Sequence, residues 1–250
     1  MPIHDWTRIP SGLFHHFHQS WTIRITDALN GGLLPDGVSA LVEQRAGVKE
    51  PDVLAIESWR GGTSLTGGGA SNVAVEPVTT KIVRRSESAN YADLANRIVV
   101  RHHLGRIVAI IEIVSPGNKD GRVALRNFVT KTAAFISDGI HVLVVDLFPP
   151  SPRDPSGIHK EIWSEFQEDE FNFPEGKDRI LVAYDASIER VAYIEPVTVG
   201  DVLPDMPLFL AEMTYVKVPL ENTYCATWVA LPKEFRNALE TGRMPTTEST

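Results

Sequence analysis

The sequence has few of the features that mark membrane, secreted and disulfide-rich proteins. Cys225 is the one cysteine among 250 residues, so an internal disulfide is excluded and a reducing cytoplasm is the expected setting. No run of about 18 apolar residues occurs, which argues against a transmembrane helix. The N-terminal MPIHDWTRIPSG lacks a basic segment followed by an apolar one, so we expect no secretory signal. Together these absences predict a cytoplasmic protein without a membrane partner.

Two common catalytic motifs are missing as well. The Gly-rich stretch GGTSLTGGGASN at 61–72 does not end in GK[ST], which argues against a phosphate-binding loop and favours a flexible insertion. Ser115 lies in no GxSxG elbow and has no evident His–Asp pair, which argues against a serine hydrolase. We interpret Ser115-Pro116-Gly117 as the end of a strand.

The protein is acidic overall, but its charge is unevenly distributed along the chain. The formal net charge is -8, which argues against a general binder of polyanions. The segment from Lys81 to Lys131 nevertheless contains ten Lys or Arg against four Asp or Glu, a local +6, which leaves -14 for the rest. This segment could face phosphate groups. The alternative is that it forms ordinary solvated faces of strands and helices.

Hydrophobic patterns predict an α/β protein. Apolar spacings of three and four indicate helices at 13–30, 121–139, 156–168 and 232–241. Strand-like runs occur at 38–46, 51–59, 79–86, 96–103, 106–114, 140–148, 179–186 and 190–195, and the fourth and fifth of these favour a hairpin. Residues 1–150 then form an αβββαβ core with a mixed central sheet and an insertion at about 60–105. Residues 151–250 form an α+β extension packed on this core.

One carboxylate interrupts the most apolar strand. In IVAIIEIV, residues 107–114, seven of eight residues are apolar and the exception is Glu112. An isolated buried carboxylate would be driven to its neutral form, so this side chain needs a cation beside it. One explanation is a metal ion, and the other is a purely structural pair with an arginine such as Arg45 or Arg101.

A second carboxylate favours the metal. Asp52 begins the predicted strand DVLAIE, and it meets Glu112 at one end of the sheet if the two strands are neighbours. Two carboxylates, a backbone carbonyl and waters form a site for Mg²⁺ or Mn²⁺. Such an ion lowers the pKa of a bound water and stabilises charge on a phosphoryl group. Glu43 is a further candidate ligand. The alternative is that Glu43 forms a salt bridge to Arg45 or Lys49.

These residues resemble the PD-(D/E)XK nuclease superfamily. Pro51-Asp52, then Glu112-Ile113-Val114, fall in the order αβββαβ. The resemblance implies that Asp52 and Glu112 hold a metal ion, with the Val114 carbonyl completing the shell. Val114 stands where the superfamily carries its lysine.

The Uma-type putative endonucleases of that superfamily move the lysine to the next helix. They carry an EVxSPS-like strand end, which EIVSPGNK resembles. This resemblance implies the displaced-lysine role for Lys131. Lys119, directly after the strand end, is a second candidate.

The whole chain resembles a narrower group, the bacterial domain of unknown function 4058 family. The resemblance rests on HDWTRIPSGLFHHFHQSW, EQR, PDVLAIE, EIVSPGNK, SDGIHVLVVDL, RDPSGIHKEIW, EPVTVGDVLPDMPLFL and VPLENTY, and it covers nearly all of 1–242. It implies a fold related to the nucleases.

The leading functional prediction is a Mg²⁺-dependent phosphodiesterase that acts on DNA. Asp52, Glu112 and Lys131 would form its catalytic site, and Arg122 and Arg126, together with Lys119, would contact the nucleic-acid backbone. The alternative is a non-catalytic binding or scaffold module that keeps the nuclease fold. The sequence leaves the oligomeric state open.

Overall fold

A computed structural model of the chain describes residues 3–44, 96–102, 105–212 and 214–242. The helices are α1 (Ser11–Ala28), α2 (Pro116–Lys119), α3 (Arg122–Ser137), α4 (Gly157–Trp163), α5 (Leu220–Ala230) and α6 (Lys233–Thr241). A 3-10 turn (Trp6–Arg8) precedes α1 and a π-type turn (Leu29–Leu33) follows it. The strands are β1 (Val38–Gln44), β2 (Asn96–His102), β3 (Ile107–Ile113), β4 (His141–Asp146), β5 (Arg179–Asp185), β6 (Val191–Val197), β7 (Met206–Ala211) and β8 (Thr214–Val218).

Six strands form one sheet whose spatial order, β1 to β6, follows the chain. Neighbouring strands are antiparallel except for β3 and β4, which are parallel. A parallel pair requires a crossover connection, and α2 with α3 supplies it. The predicted α/β class with a mixed sheet is therefore confirmed, and antiparallel pairing dominates.

Both faces of the sheet are covered. α1, α5 and the hairpin β7–β8 pack on one face, where an aromatic cluster joins the N-terminus to α5 through Trp6, Phe17, Trp21 and Tyr224. α3 and α4 pack on the other face. Burial on both sides explains why β3 and β4 are almost entirely apolar. Within the described residues, none of the helices combines the length and apolar character needed to cross a bilayer.

The strands of the central sheet lie where the sequence patterns predict strands, but their neighbours in the sheet differ from the predicted arrangement. The predicted hairpin of 96–103 with 106–114 is confirmed, because β2 and β3 pair antiparallel. β2 lies between β1 and β3 in the central sheet, whereas residues up to about 105 are predicted to form an insertion. β5 and β6 extend the same sheet, so the C-terminal part contributes strands to it. The predicted strands at 51–59 and 79–86 lie outside the described residues.

Three local features differ from the sequence expectation. The Pro-rich segment at 204–209, which is not among the predicted strands, contributes to β7, which pairs with β8 in a separate two-stranded sheet. α5 was not indicated by periodicity. Val123 of α3 is 74% exposed although it is apolar, and Leu125 and Val129 occupy core positions.

Candidate functional site

Glu112 lies near the carboxyl end of β3, opposite Val144 of β4. Its side chain is only 7% exposed. The other residues of this strand, IVAIIEI, are apolar, so the carboxylate depends on a cation from another element. Alternate side chains of a strand share a face, and the face that carries Glu112 is the one covered by α3.

Lys131 of α3 supplies that cation. Its Nζ donates to Glu112 Oε1 at 2.6 Å, and its side chain is 15% exposed. The ammonium also lies 5.3 Å from the ring centroid of Phe128 and 6.0 Å from that of Phe135. The lysine assigned to the displaced role and the strand glutamate are therefore in direct contact.

Arg101, one of the arginines suggested as a structural partner of Glu112, binds Glu43 instead, and Arg45, the other, lies outside the described residues. Arg97 reaches the same carboxylate at 3.2 Å. Burial alone would raise the pKa of Glu43, but hydrogen bonds from Arg101 and Arg97 hold it below its usual value. Glu43 thus forms a salt bridge on β1. Arg45 and Lys49, its predicted partners, lie outside the described residues.

Lys119 does not face Glu112 but forms a separate buried cluster with Asp146 and Asp154, named here the Lys119 cluster. Its Nζ lies 2.7 Å from Asp146 Oδ2 and 2.9 Å from Asp154 Oδ2, and it donates to the Pro149 carbonyl at 3.3 Å. The three side chains are 8%, 2% and 0% exposed. A lysine so enclosed cannot reach a nucleic-acid backbone, which corrects the substrate-binding role predicted for it.

The Lys119 cluster joins three separate parts of the chain. Lys119 ends α2, Asp146 ends β4, and Asp154 lies in the loop that leads to α4. Burial alone would lower the pKa of Lys119, but Asp146 and Asp154 raise it above its usual value. Burial raises the pKa of Asp146 against the effect of Lys119. Burial and the neighbouring charge thus act in opposite directions on each group, and the charge of each depends on its partner.

Arg122 and Arg126 are not on the same side of α3 as Lys131. They border a groove between α3 and the loop before α4, together with Arg153 and Glu161. The structure therefore divides the predicted site: Glu112 and Lys131 come together, whereas the two arginines lie elsewhere. Sequence reasoning missed Arg153 and Glu161, although RDPSGIHKE gave them as charged residues beside a helix start.

The predicted metal site lies only partly within the described residues, because Asp52 is outside them. Glu112 and the Val114 carbonyl are oxygen donors of the kind that Mg²⁺ and Mn²⁺ prefer. Val114 is fully buried, and its N–H donates to the Val145 carbonyl at 2.8 Å. In the part of the chain that the structure describes, no three His, Cys, Asp or Glu side chains form a group that could hold a metal ion. Glu112 and the Val114 carbonyl alone therefore do not complete the coordination shell of a metal ion.

His18 of α1 is a second unusual polar group in the core. It is 0% exposed, and neither ring nitrogen has a hydrogen-bond partner within the described residues. Burial, followed by the effect of His15, lowers the pKa of His18 to about 4. Glu112 and the Ile113 carbonyl oppose this shift without reversing it. His18 is therefore neutral in the folded protein at pH 7.

Acid is expected to destabilise the fold between pH 6.5 and about 4. Burial lowers the pKa values of His18 and His159 from 6.5 to about 4, so the unfolded chain binds protons that the folded chain does not. This stability is complete above pH 6.5 and is lost as the pH falls through that interval. For the fully buried His18, it amounts to about 3 kcal/mol.

Urea unfolding at pH 7.5 and at pH 4.5 measures this loss. His18→Phe, which keeps a ring but cannot be protonated, should lose less stability on acidification than wild type. The same loss in both proteins would contradict the assignment.

Comparison of the chain with protein-family models, with curated proteins and with solved structures finds no match. We therefore infer the function from the residues and their geometry.

Proposed function

We propose that the protein is a Mg²⁺- or Mn²⁺-dependent phosphodiesterase that acts on nucleic acid, with DNA as the expected substrate. The observation that carries the proposal is the 2.6 Å contact between Glu112 Oε1 and Lys131 Nζ near the carboxyl end of the parallel pair β3–β4. Buried ion pairs are often replaceable by apolar residues without loss of stability. A carboxylate in an apolar strand that pairs with a lysine of the facing helix therefore favours a chemical role.

The element order supports the same proposal. The described residues run helix, three strands, helix and strand up to residue 146, but the middle strand is β2 rather than the predicted strand at 51–59, and the two neighbours of β3 are β2 and β4. The order of element types supports an αβββαβ core without placing Asp52 beside Glu112. We propose on this basis that the chain is related to the PD-(D/E)XK superfamily and to the domain of unknown function 4058 family. The single Cys225 suits the reducing cytoplasm in which we place the protein.

Each residue has a stated role in this proposal. Glu112, Asp52 and the Val114 carbonyl would hold the ion. When bound, a divalent ion lowers the pKa of a water molecule and stabilises charge on the phosphoryl group. Lys131 provides a fixed positive charge that stabilises or orients a phosphate oxygen. Its side chain is largely excluded from water, which strengthens electrostatic interactions there.

Cleavage of supercoiled plasmid DNA tests the proposal. We expect wild-type protein to nick or linearise the plasmid with Mg²⁺ or Mn²⁺ and to lose this activity with EDTA. DNA affinity should fall as salt rises, because phosphate contacts release counterions. No cleavage of plasmid or of single-stranded DNA or RNA with either ion would contradict the proposal.

A second candidate is a binding or scaffold module with the same fold and no catalysis. Two observations favour it. Val114 occupies the position where the superfamily carries its lysine, and its side chain is fully buried. Lys131 already neutralises Glu112, so this pair needs no metal ion. In this case the protein binds no divalent ion at Glu112 and cleaves nothing.

A further inference from the structure

A groove lies on the flank of α3 that is turned away from Lys131. Arg122 and Lys131 are nine residues apart, which is about two and a half helical turns, so they project from opposite sides. Their contacts agree with this geometry. Lys131 reaches Glu112 on β3, whereas Arg122 borders the groove with Arg153 and Glu161. The groove is thus separate from the Glu112–Lys131 pair.

The groove, named here the arginine groove, has the size of a small-molecule site. Its volume is about 580 Å³, within the range of about 300–1,000 Å³ that ligand pockets occupy. Leu125, Val129 and Pro152 give it an apolar component, and three arginines and one glutamate give it charge. An apolar surface with a few convergent polar groups is the usual composition of a ligand site.

Two of the three arginines are already held in position. Arg126 donates to Glu165 Oε1 at 2.6 Å, and Arg153 donates to the Lys119 carbonyl at 3.2 Å. Arg122 has no ion pair within the described residues and is exposed. Holding a guanidinium group before a ligand binds reduces the entropy lost on binding. Two restrained arginines, and a third without an ion pair in the part of the chain that the structure describes, therefore line one groove.

We propose that the arginine groove binds a small organic phosphate whose phosphate group contacts the arginines. Guanidinium groups match phosphate oxygens in charge and in their paired donor geometry. Glu161 is half-buried beside them and has no ion pair within the described residues. A hydroxyl or amino group of the ligand donates to its carboxylate. A nucleoside monophosphate has this combination of groups.

The charges around the groove favour a small ligand over a polyanion. Glu161 borders the groove, and Glu165 is bound to one of its arginines. Glu168, Asp169 and Glu170 follow on the same segment. An extended nucleic-acid backbone would pass further carboxylates, whereas a single phosphate group contacts the arginines alone.

Calorimetric titration of the full-length protein with inorganic phosphate and with AMP, at low salt, tests this proposal. Both probes should bind, and AMP should bind more tightly. Arg122→Gln and Arg153→Gln should each weaken AMP binding about tenfold or more, since each removes a charge-assisted hydrogen bond. Arg24→Gln, the same change at an exposed position on α1, should have no effect.

Glu161→Gln distinguishes the contact made by the phosphate group from the contact made by the rest of the ligand. The variant should bind inorganic phosphate more tightly, because it removes a repelling charge, and AMP more weakly, because it removes an ionised acceptor. Equal strengthening of both probes would overturn the role of Glu161. No binding at millimolar concentration, or unchanged binding in both arginine variants, would overturn the site. Tighter binding of a single-stranded oligonucleotide that displaces AMP would identify a polyanion site instead.

The test is independent of the proposed nuclease chemistry. Glu112→Gln should leave AMP binding unchanged, because Glu112 lies on β3 beside the flank of α3 that carries Lys131, away from the arginine groove. Loss of AMP binding in this variant would contradict the separation of the two sites.

Discussion

Replacing Lys119 by methionine is expected to lower the free energy of unfolding by about 3–5 kcal/mol. Methionine fills a similar volume, but it leaves Asp146 and Asp154 as two buried carboxylates with no cation between them. Urea unfolding at pH 7 measures the difference from wild type. The difference should shrink as the pH falls, because protonated carboxyl groups no longer require the lysine.

A matched control exists on the surface. Lys177 lies 2.6 Å from Asp201, but their side chains are 34% and 32% exposed. Lys177→Met should therefore cost no more than about 1 kcal/mol. If Lys119→Met and Lys177→Met lower stability by the same amount, burial does not determine the strength of the Lys119 cluster and the argument for it fails.

Breaking the Glu112–Lys131 pair is expected to reduce metal-dependent DNA cleavage at least about a hundredfold. Glu112→Gln keeps the shape and can still accept from Lys131, but it removes the ionised oxygen that would bind the metal. Lys131→Met removes the positive charge and keeps the apolar stem. Initial rates of plasmid nicking with Mn²⁺ measure both effects.

Two further variants define how this result is interpreted. Lys233→Met, at an exposed position on α6, should cleave at the wild-type rate. Lys131→Arg keeps the charge and should retain more activity than Lys131→Met. If both Lys131 variants and Glu112→Gln cleave as wild type does, the pair is structural and any nuclease activity arises elsewhere.

The position of Glu112 was accessible from sequence because it depends on local pattern. Seven apolar residues in IVAIIEIV predict a strand covered on both faces, and alternation fixes the side on which the carboxylate lies. Its partner Lys131 was accessible only through the resemblance to nucleases, since nothing local indicates which of several lysines reaches the strand. The sequence spacing already predicts that Arg122 and Lys131 lie in different sites, because nine residues place them on opposite sides of a helix.

The remaining features depend on contacts that sequence periodicity does not encode. Lys119 is enclosed by Asp146 and Asp154, 27 and 35 residues further along the chain, and a loop conformation brings them together. β7 contains Pro207 and is not among the predicted strands, yet a two-stranded hairpin tolerates proline because its edges need no further donors. Asp52 lies outside the described residues, so its predicted role stays a prediction.

Calorimetric titration with Mn²⁺ examines the proposed metal site without requiring knowledge of the substrate. We expect wild-type protein to bind the ion and Glu112→Gln not to bind it, while the Arg24→Gln control binds as wild type does. Equal Mn²⁺ binding in wild type and Glu112→Gln would place the ion elsewhere and contradict the assigned site. No binding in wild type, with or without added DNA, would contradict a metal-dependent phosphodiesterase and favour the non-catalytic module.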